Sequence, residues 1–200
     1  MKIACLGCGG QRPQSPDWIN IDDLHSQLPP GTGARQQLDA EPNYINHVLL
    51  SSPLPFEDNS IDGILASHLV EHFTVQDAIK LMQDCMRVLK PGGVLLVSVP
   101  DASYFRRVHD QDCNANWPDL FDVIDPPNPI PTFRAAALYF EQHYQVISED
   151  VLWNHFVQSG FLADNVYRLT PMDKHIPAMS EMMPHLNRRK FSLEMWGQKT

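Results

Sequence analysis

The stretch from Pro53 to Asp101 constrains the fold more than any other part of the chain, because its hydrophobic period switches twice. Residues 61–66 are a short apolar run, as in a strand buried on both faces of a parallel sheet. From Val75 the apolar positions are Val75, Ala78, Ile79, Met82, Cys85, Met86 and Leu89, which lie on one face of a helix. Thr74, with Asp77 three residues on, predicts the helix start, and Lys90 with Pro91-Gly92-Gly93 predicts its stop. Residues 94–99 form a second apolar run rich in valine, ended by Pro100. Strand, crossover helix and strand together predict a parallel pair with helices covering the sheet.

Upstream, residues 2–6 predict a first strand running into Gly7-Cys8-Gly9-Gly10, a turn whose glycines let the backbone approach a ligand closely. The dinucleotide pattern G-x-G-x-x-G fails here. Its third glycine position is Arg12, and Pro13 and Pro16 oppose an immediate long helix, which disfavours NAD or FAD. Residues 18–22 alternate as a second strand ending in Asp22-Asp23. Residues 26–43 are expected to be loop with a short helix near 34–38, and 43–52 to hold a third strand.

Downstream, residues 102–133 lack a clear period and end in a proline-rich run, the character of a substrate or lid segment. Residues 134–145 and 149–159 are expected to be helical, with Ser148 as a cap and Gly160 as a stop. Residues 165–169 and 191–196 have strand character, and 171–189, rich in Met, His and Pro, is expected to be loop or broken helix. Without a repeat or a composition break, the 200 residues are expected to form one domain.

A formal charge of −9 argues against a nucleic-acid backbone as the main partner. No apolar run approaches a membrane span, and residues 2–6 resemble a core strand rather than a signal peptide. Cys5, Cys8, Cys85 and Cys113 are too few for a disulfide scaffold, so reduced packing thiols in a cytoplasmic protein are expected.

The order Leu-Pro-Phe-x-Asp-Asn-Ser-x-Asp (54–62), Ala-Ser-His-x-x-Glu-His (66–72) and Arg-Val-Leu-Lys-Pro-Gly-Gly (87–93) resembles the class I S-adenosylmethionine-dependent methyltransferases, within them the small methyltransferase type 11-like enzymes. The resemblance implies an α/β fold: a doubly wound, mainly parallel, seven-stranded Rossmann-like sheet with an antiparallel last strand. It implies S-adenosyl-L-methionine as cofactor, held at Gly7, Cys8 and Gly9, at Asp22 with Asp23 in reserve for the ribose hydroxyls, and at Leu50, Ser67 and His68. Cys5 and Leu49-Leu50 stand where relatives often carry acidic residues, and Asp39-Ala40-Glu41 is the alternative source of an acid near the adenine.

The activity implied is methyl transfer to a small-molecule acceptor, taken here to be at oxygen. His68 is then the first candidate for a base, His72 shares its face if the helix has begun, and His109 is the reserve. On that helical geometry Glu71 points elsewhere. The alternatives are a non-catalytic module that keeps the fold to bind S-adenosylmethionine or a partner, and a nucleotide-binding enzyme of another type.

Two motifs invite other chemistry. His68-x-x-Glu71-His72 matches a zinc-peptidase pattern, but a strand ends immediately before it, whereas that chemistry needs a continuous helix. Cys5-x-x-Cys8 suggests a redox pair or half a zinc site, but there is no second pair, and Pro13 and Pro16 oppose the helix that a redox motif opens. The expectation is therefore that the chain has no stoichiometric catalytic metal.

Overall fold

The computed structural model describes residues 1–9, 12–111, 143–186 and 191–200. Seven strands form one sheet in the order β3-β2-β1-β4-β5-β7-β6. They are β1 (Ile3–Leu6), β2 (Trp18–Asp22), β3 (Tyr44–Asn46), β4 (Ile61–Ser67), β5 (Leu89–Pro100), β6 (Val166–Arg168) and β7 (Ser192–Gln198). The first five pair in parallel, and β7 runs antiparallel to both β5 and β6. The doubly wound sheet with its reversed last strand is thus as expected.

Helix α1 (Leu24–Gln27) and α2 (Gly33–Asp39) lie between β2 and β3, and α3 (Val75–Val88) crosses from β4 to β5. Helix α4 (Ala102–Gln111) follows β5, α5 (Glu149–Gln158) precedes β6, and α6 (Pro177–Met182) precedes β7. Thr74 caps α3 by accepting the Asp77 backbone N–H at 3.2 Å. Ser148 stands at the N-cap of α5 but makes no side-chain cap bond. The expected stop at Pro91-Gly92-Gly93 lies instead inside β5: α3 ends at Val88, and the chain enters the sheet at once. Gly92 takes a φ of +80°, and the β4–β5 register shifts between Ile61 and Gly63, so the glycines absorb an irregularity of the sheet rather than end a helix.

Both faces of the sheet are covered. On one, Ala78, Leu81, Met82, Cys85 and Val88 of α3 pack with Leu152 and Phe156 of α5. On the other, Ala178, Met179, Met182, Met183 and Leu186 cover Ile3, Trp18, Leu65, Leu96 and Trp196. The Met-rich stretch expected to be loop or broken helix is a broken helix, and it covers a whole sheet face, where the flexible thioether side chain fills gaps. Methionine spacing does not distinguish a buried broken helix from a loop. Residues 143–145, the described end of the stretch 134–145 expected to be helical, are not in a helix: Tyr144 donates its N–H to the Glu71 carbonyl at 2.9 Å, and Ile147 just beyond bridges to Asp101. The preceding residues, 134–142, lie outside the described set. No helix among the described residues is long and apolar enough to cross a membrane.

Arg87 ties α3 to the loop before β4. Its guanidinium donates to Asp84 at 2.6 Å, to Asp58 at 2.7 Å, and to the carbonyls of Phe56 at 3.0 Å and Leu54 at 3.1 Å. Asp84 in turn accepts the Leu54 backbone N–H. These carboxylates hold the guanidinium's pKa above its usual value, the hydrogen bond to Asp58 being the largest cause. Arg87→Ala leaves Asp84 and two carbonyls without this donor, and charged hydrogen bonds of this kind contribute about 1.5–3 kcal/mol. For a chain of this size that corresponds to a fall of about 3–12 °C in the thermal midpoint. An unchanged melting curve for Arg87→Ala would count against the clamp.

Candidate functional site at the carboxyl edge of the sheet

Strand β1 is flanked by β2 on one side and β4 on the other, so the connections leave it in opposite directions. A crevice at the carboxyl ends of the strands is expected at such a point. Gly7 follows β1 with φ +62°, and a Cβ there would come within 2.6 Å of Leu69 Cδ1 in the loop after β4. Glycine is therefore favoured by its backbone conformation, and any larger residue would also have to displace the Leu69 side chain. The same contact brings the first and fourth loops together.

Gly9, at φ +53°, faces open space, since a Cβ built there meets nothing within 4 Å. Its N–H donates to Asp22 Oδ2 at 2.7 Å, and Asp22 Oδ1 accepts the N–H of Asp23 at 2.8 Å. The carboxylate that ends β2 thus already orders the glycine turn. A carboxylate can accept about four hydrogen bonds. Two positions remain for a pair of vicinal hydroxyls, which is what a bound nucleoside presents. The residues fit such a group.

Arg12 is the feature that sequence reasoning missed, although it marked the failure of the dinucleotide pattern. Its side chain donates to the Gly9 carbonyl at 2.6 Å and, in a two-pronged pair, to Glu41 at 2.9 and 2.7 Å. Its guanidinium lies 5.8 Å from the centre of the Tyr44 ring, and the Tyr44 hydroxyl donates to the Asp22 carbonyl at 2.9 Å. The hydrogen bond from Arg12 holds Glu41 below the usual carboxylate range. Glu41, the alternative acid for the adenine, is thus engaged by Arg12, while Asp39 lies 2.8 Å from His25 Nε2. Leu50 occurs in the loop after β3 with φ +70° and packs against the core. That loop is joined to the site by the His47 N–H, which donates to the Asp22 carbonyl at 3.0 Å.

Cys5 and Cys8 depart from the expected separate thiols. They form a disulfide with the two Cα atoms 5.9 Å apart, because the left-handed Gly7 folds Cys8 back beside the end of β1. Cys85 is a free, buried thiol whose pKa is pushed far up by burial. Cys113 lies outside the described residues.

Ser67 ends β4, and His68 follows it with φ +52°, its N–H donating to the Ser98 carbonyl at 2.8 Å. The His68 Nε2 is 3.0 Å from Ser192 Oγ, and Nδ1 is 3.4 Å from Glu71 Oε1. His68 and His72 do not share a helix face. Only Val70–His72 forms a turn, and it is a 3₁₀ turn. His68 lies before that turn in a left-handed conformation, and Glu71, expected to point away, is the residue that faces it. His72 stacks edge-on against His143 with ring centres 4.7 Å apart. His109 falls within α4, and its side chain lies outside the described residues.

Comparison with known proteins agrees with this geometry. Residues 21–97 match the family model described as a methyltransferase domain. Over 61 residues, 30% of this chain, it is 38% identical to a probable S-adenosylmethionine-dependent methyltransferase of Mycolicibacterium smegmatis, of which the match covers 23%. Over 63% of the chain it is 29% identical to the ubiquinone/menaquinone biosynthesis C-methyltransferase of Pasteurella multocida, covering 46% of that protein. The chain therefore spans less than half the length of these relatives. An S-adenosylmethionine-dependent methyltransferase of Thermotoga maritima superposes over 100% of this chain and 82% of its own with a TM-score of 0.58, at 14% identity, a likeness of fold. Residues 21–97 thus resemble a methyltransferase domain, and the fold is that of solved S-adenosylmethionine-dependent methyltransferases. S-adenosylmethionine is the methyl donor of that class.

Arg12→Met removes the tie between Gly9 and Glu41. Loss of charged hydrogen bonds, about 1.5–3 kcal/mol, is expected to raise amide exchange at Gly9 at least about tenfold. Because Glu41 has a lowered pKa in the folded state, its stabilisation is complete above the ordinary glutamate value near ~4.3 and is lost as pH falls through the lowered one. The difference in melting temperature between wild type and Arg12→Met should therefore hold from pH 7 to 5 and narrow in more acidic solution. A difference that stays constant down to pH 3 would argue against the pair.

Proposed function

We propose that the chain transfers the methyl group of S-adenosylmethionine to a small-molecule acceptor, at oxygen. The observation that carries this reading is the Asp22 carboxylate, anchored to the glycine turn through the Gly9 N–H at 2.7 Å and left with acceptor capacity toward the crevice. Gly7, Cys8 and Gly9 would receive the amino-acid end of the donor, Asp22 the ribose hydroxyls with Asp23 beside it, and Leu50 would border the adenine. Ser67 and His68, at the end of β4, would stand nearest the transferred group.

When bound, S-adenosylmethionine supplies an activated methyl on its sulfonium. The task left to the protein is orientation for an in-line displacement and exclusion of water. Gly7 against Leu69 sets the distance between the donor loop and the loop after β4. His68 has both ring nitrogens turned to protein groups, Ser192 and Glu71, which supports a part in shaping the site. The net charge of −9 favours a small acceptor over a polyanion.

The test is calorimetric titration with S-adenosylmethionine and with its demethylated product. Both should bind the wild-type chain with one site. Asp22→Ala should weaken them by about 1.5–3 kcal/mol, roughly 10- to 150-fold. Unchanged affinity in Asp22→Ala would sink the assignment of the ribose site. Turnover on a panel of hydroxylated acceptors then separates an enzyme from a binding module.

A further inference from the structure

Glu71 is only 1% exposed, and neither of its carboxylate oxygens has a hydrogen-bond partner among the described residues. His68 Nδ1 stands 3.4 Å from Glu71 Oε1, without the alignment of a hydrogen bond. A buried, unpaired carboxylate is costly unless a cation or donor compensates it. One ligand atom from each of Glu71, His72 and His143 lies within 4.8 Å of the others. Three ligands each about 2.0–2.2 Å from one centre would stand about 3–3.5 Å apart, so modest side-chain rotation suffices to close the set.

The frame around these groups is already built. Tyr144, next to His143, donates its backbone N–H to the Glu71 carbonyl at 2.9 Å. The side-chain amide of Gln145 donates to the Phe73 carbonyl at 2.8 Å, and His155 Nε2 is 2.7 Å from the Gln145 side-chain oxygen. Two distant segments are thereby fixed on either side of the candidate ligands. The site also adjoins His68 and Leu69 at the same carboxyl edge as the glycine turn.

We propose that Glu71, His72 and His143 bind a divalent transition-metal ion. Two imidazoles with one carboxylate suit zinc and other first-row transition-metal ions better than magnesium or calcium, which prefer all-oxygen sites, and leave coordination positions open. This differs from the peptidase-like pattern, since His68 stands outside the set and its third member comes from another part of the chain. Resting on the methyltransferase reading above, the open positions would take an oxygen of a hydroxylated acceptor, which makes such acceptors the substrate class.

The experiment is calorimetric titration of chelator-treated protein with Zn²⁺ and Mn²⁺, with Mg²⁺ for comparison and no cofactor present. One Zn²⁺ or Mn²⁺ per chain is expected, with affinity at least about tenfold lower in Glu71→Gln and in His143→Ala. Glu71→Gln keeps the shape of the side chain. Its folding is checked by circular dichroism, with His72→Ala as a second variant should it not fold. Absence of one-site binding by both ions in the wild type, or affinity unchanged in the folded variants, overturns the site. A separate titration with the demethylated donor product tests the methyltransferase reading: product binding without metal binding defeats only the ion site, and metal binding without product binding defeats only the role given to it.

Discussion

The position of β1 between two parallel neighbours, β2 and β4, is the constraint on which the rest depends. It sends the chain left for β2 and β3 and right for β4 and β5, and so opens the carboxyl edge where the loops part. Every residue argued here to bind or orient a ligand lies in the loops just past β1, β2 or β4, or is tied to them. The contact of Gly7 with Leu69 and the hydrogen bond from Gly9 to Asp22 are local consequences of that placement.

The motifs that carry the family resemblance serve mainly to hold this frame. Asp62 accepts the backbone N–H of Lys2 at 2.7 Å and pairs with Lys90 at 2.7 Å, so one carboxylate links β1, β4 and β5. Arg87 clamps the Leu-Pro-Phe segment. These side chains keep the strands in register on the edge away from the ligand crevice, or fix the loop that feeds β4. That is why they carry the resemblance to methyltransferases and no information about the acceptor.

Glu71 and His72 belong to the same motif but differ in kind. The 3₁₀ turn of Val70–His72 buries a carboxylate without hydrogen-bonding it, and the 143–147 segment closes over it. Stability alone would favour an apolar residue at such a position. The buried charge, the two imidazoles beside it and their location at the ligand edge are explained together by an ion that takes part in binding.

Several elements were legible from the residues alone because they depend on local periodicity and local chemistry. Strand, helix and strand through β4, α3 and β5, the glycine turn after β1 and the carboxylate ending β2 follow from apolar spacing and from glycine's access to positive φ. What tertiary structure decided depends on distance in space. Arg12 meets Glu41, and the Met-rich 177–186 segment covers a sheet face. His143 stands against His72 only because backbone hydrogen bonds seat its segment on the turn after β4. Hydrophobic period sets which residues form an element and which face is buried, but pairing between distant polar groups is fixed only when the packed sheet brings their loops to one edge.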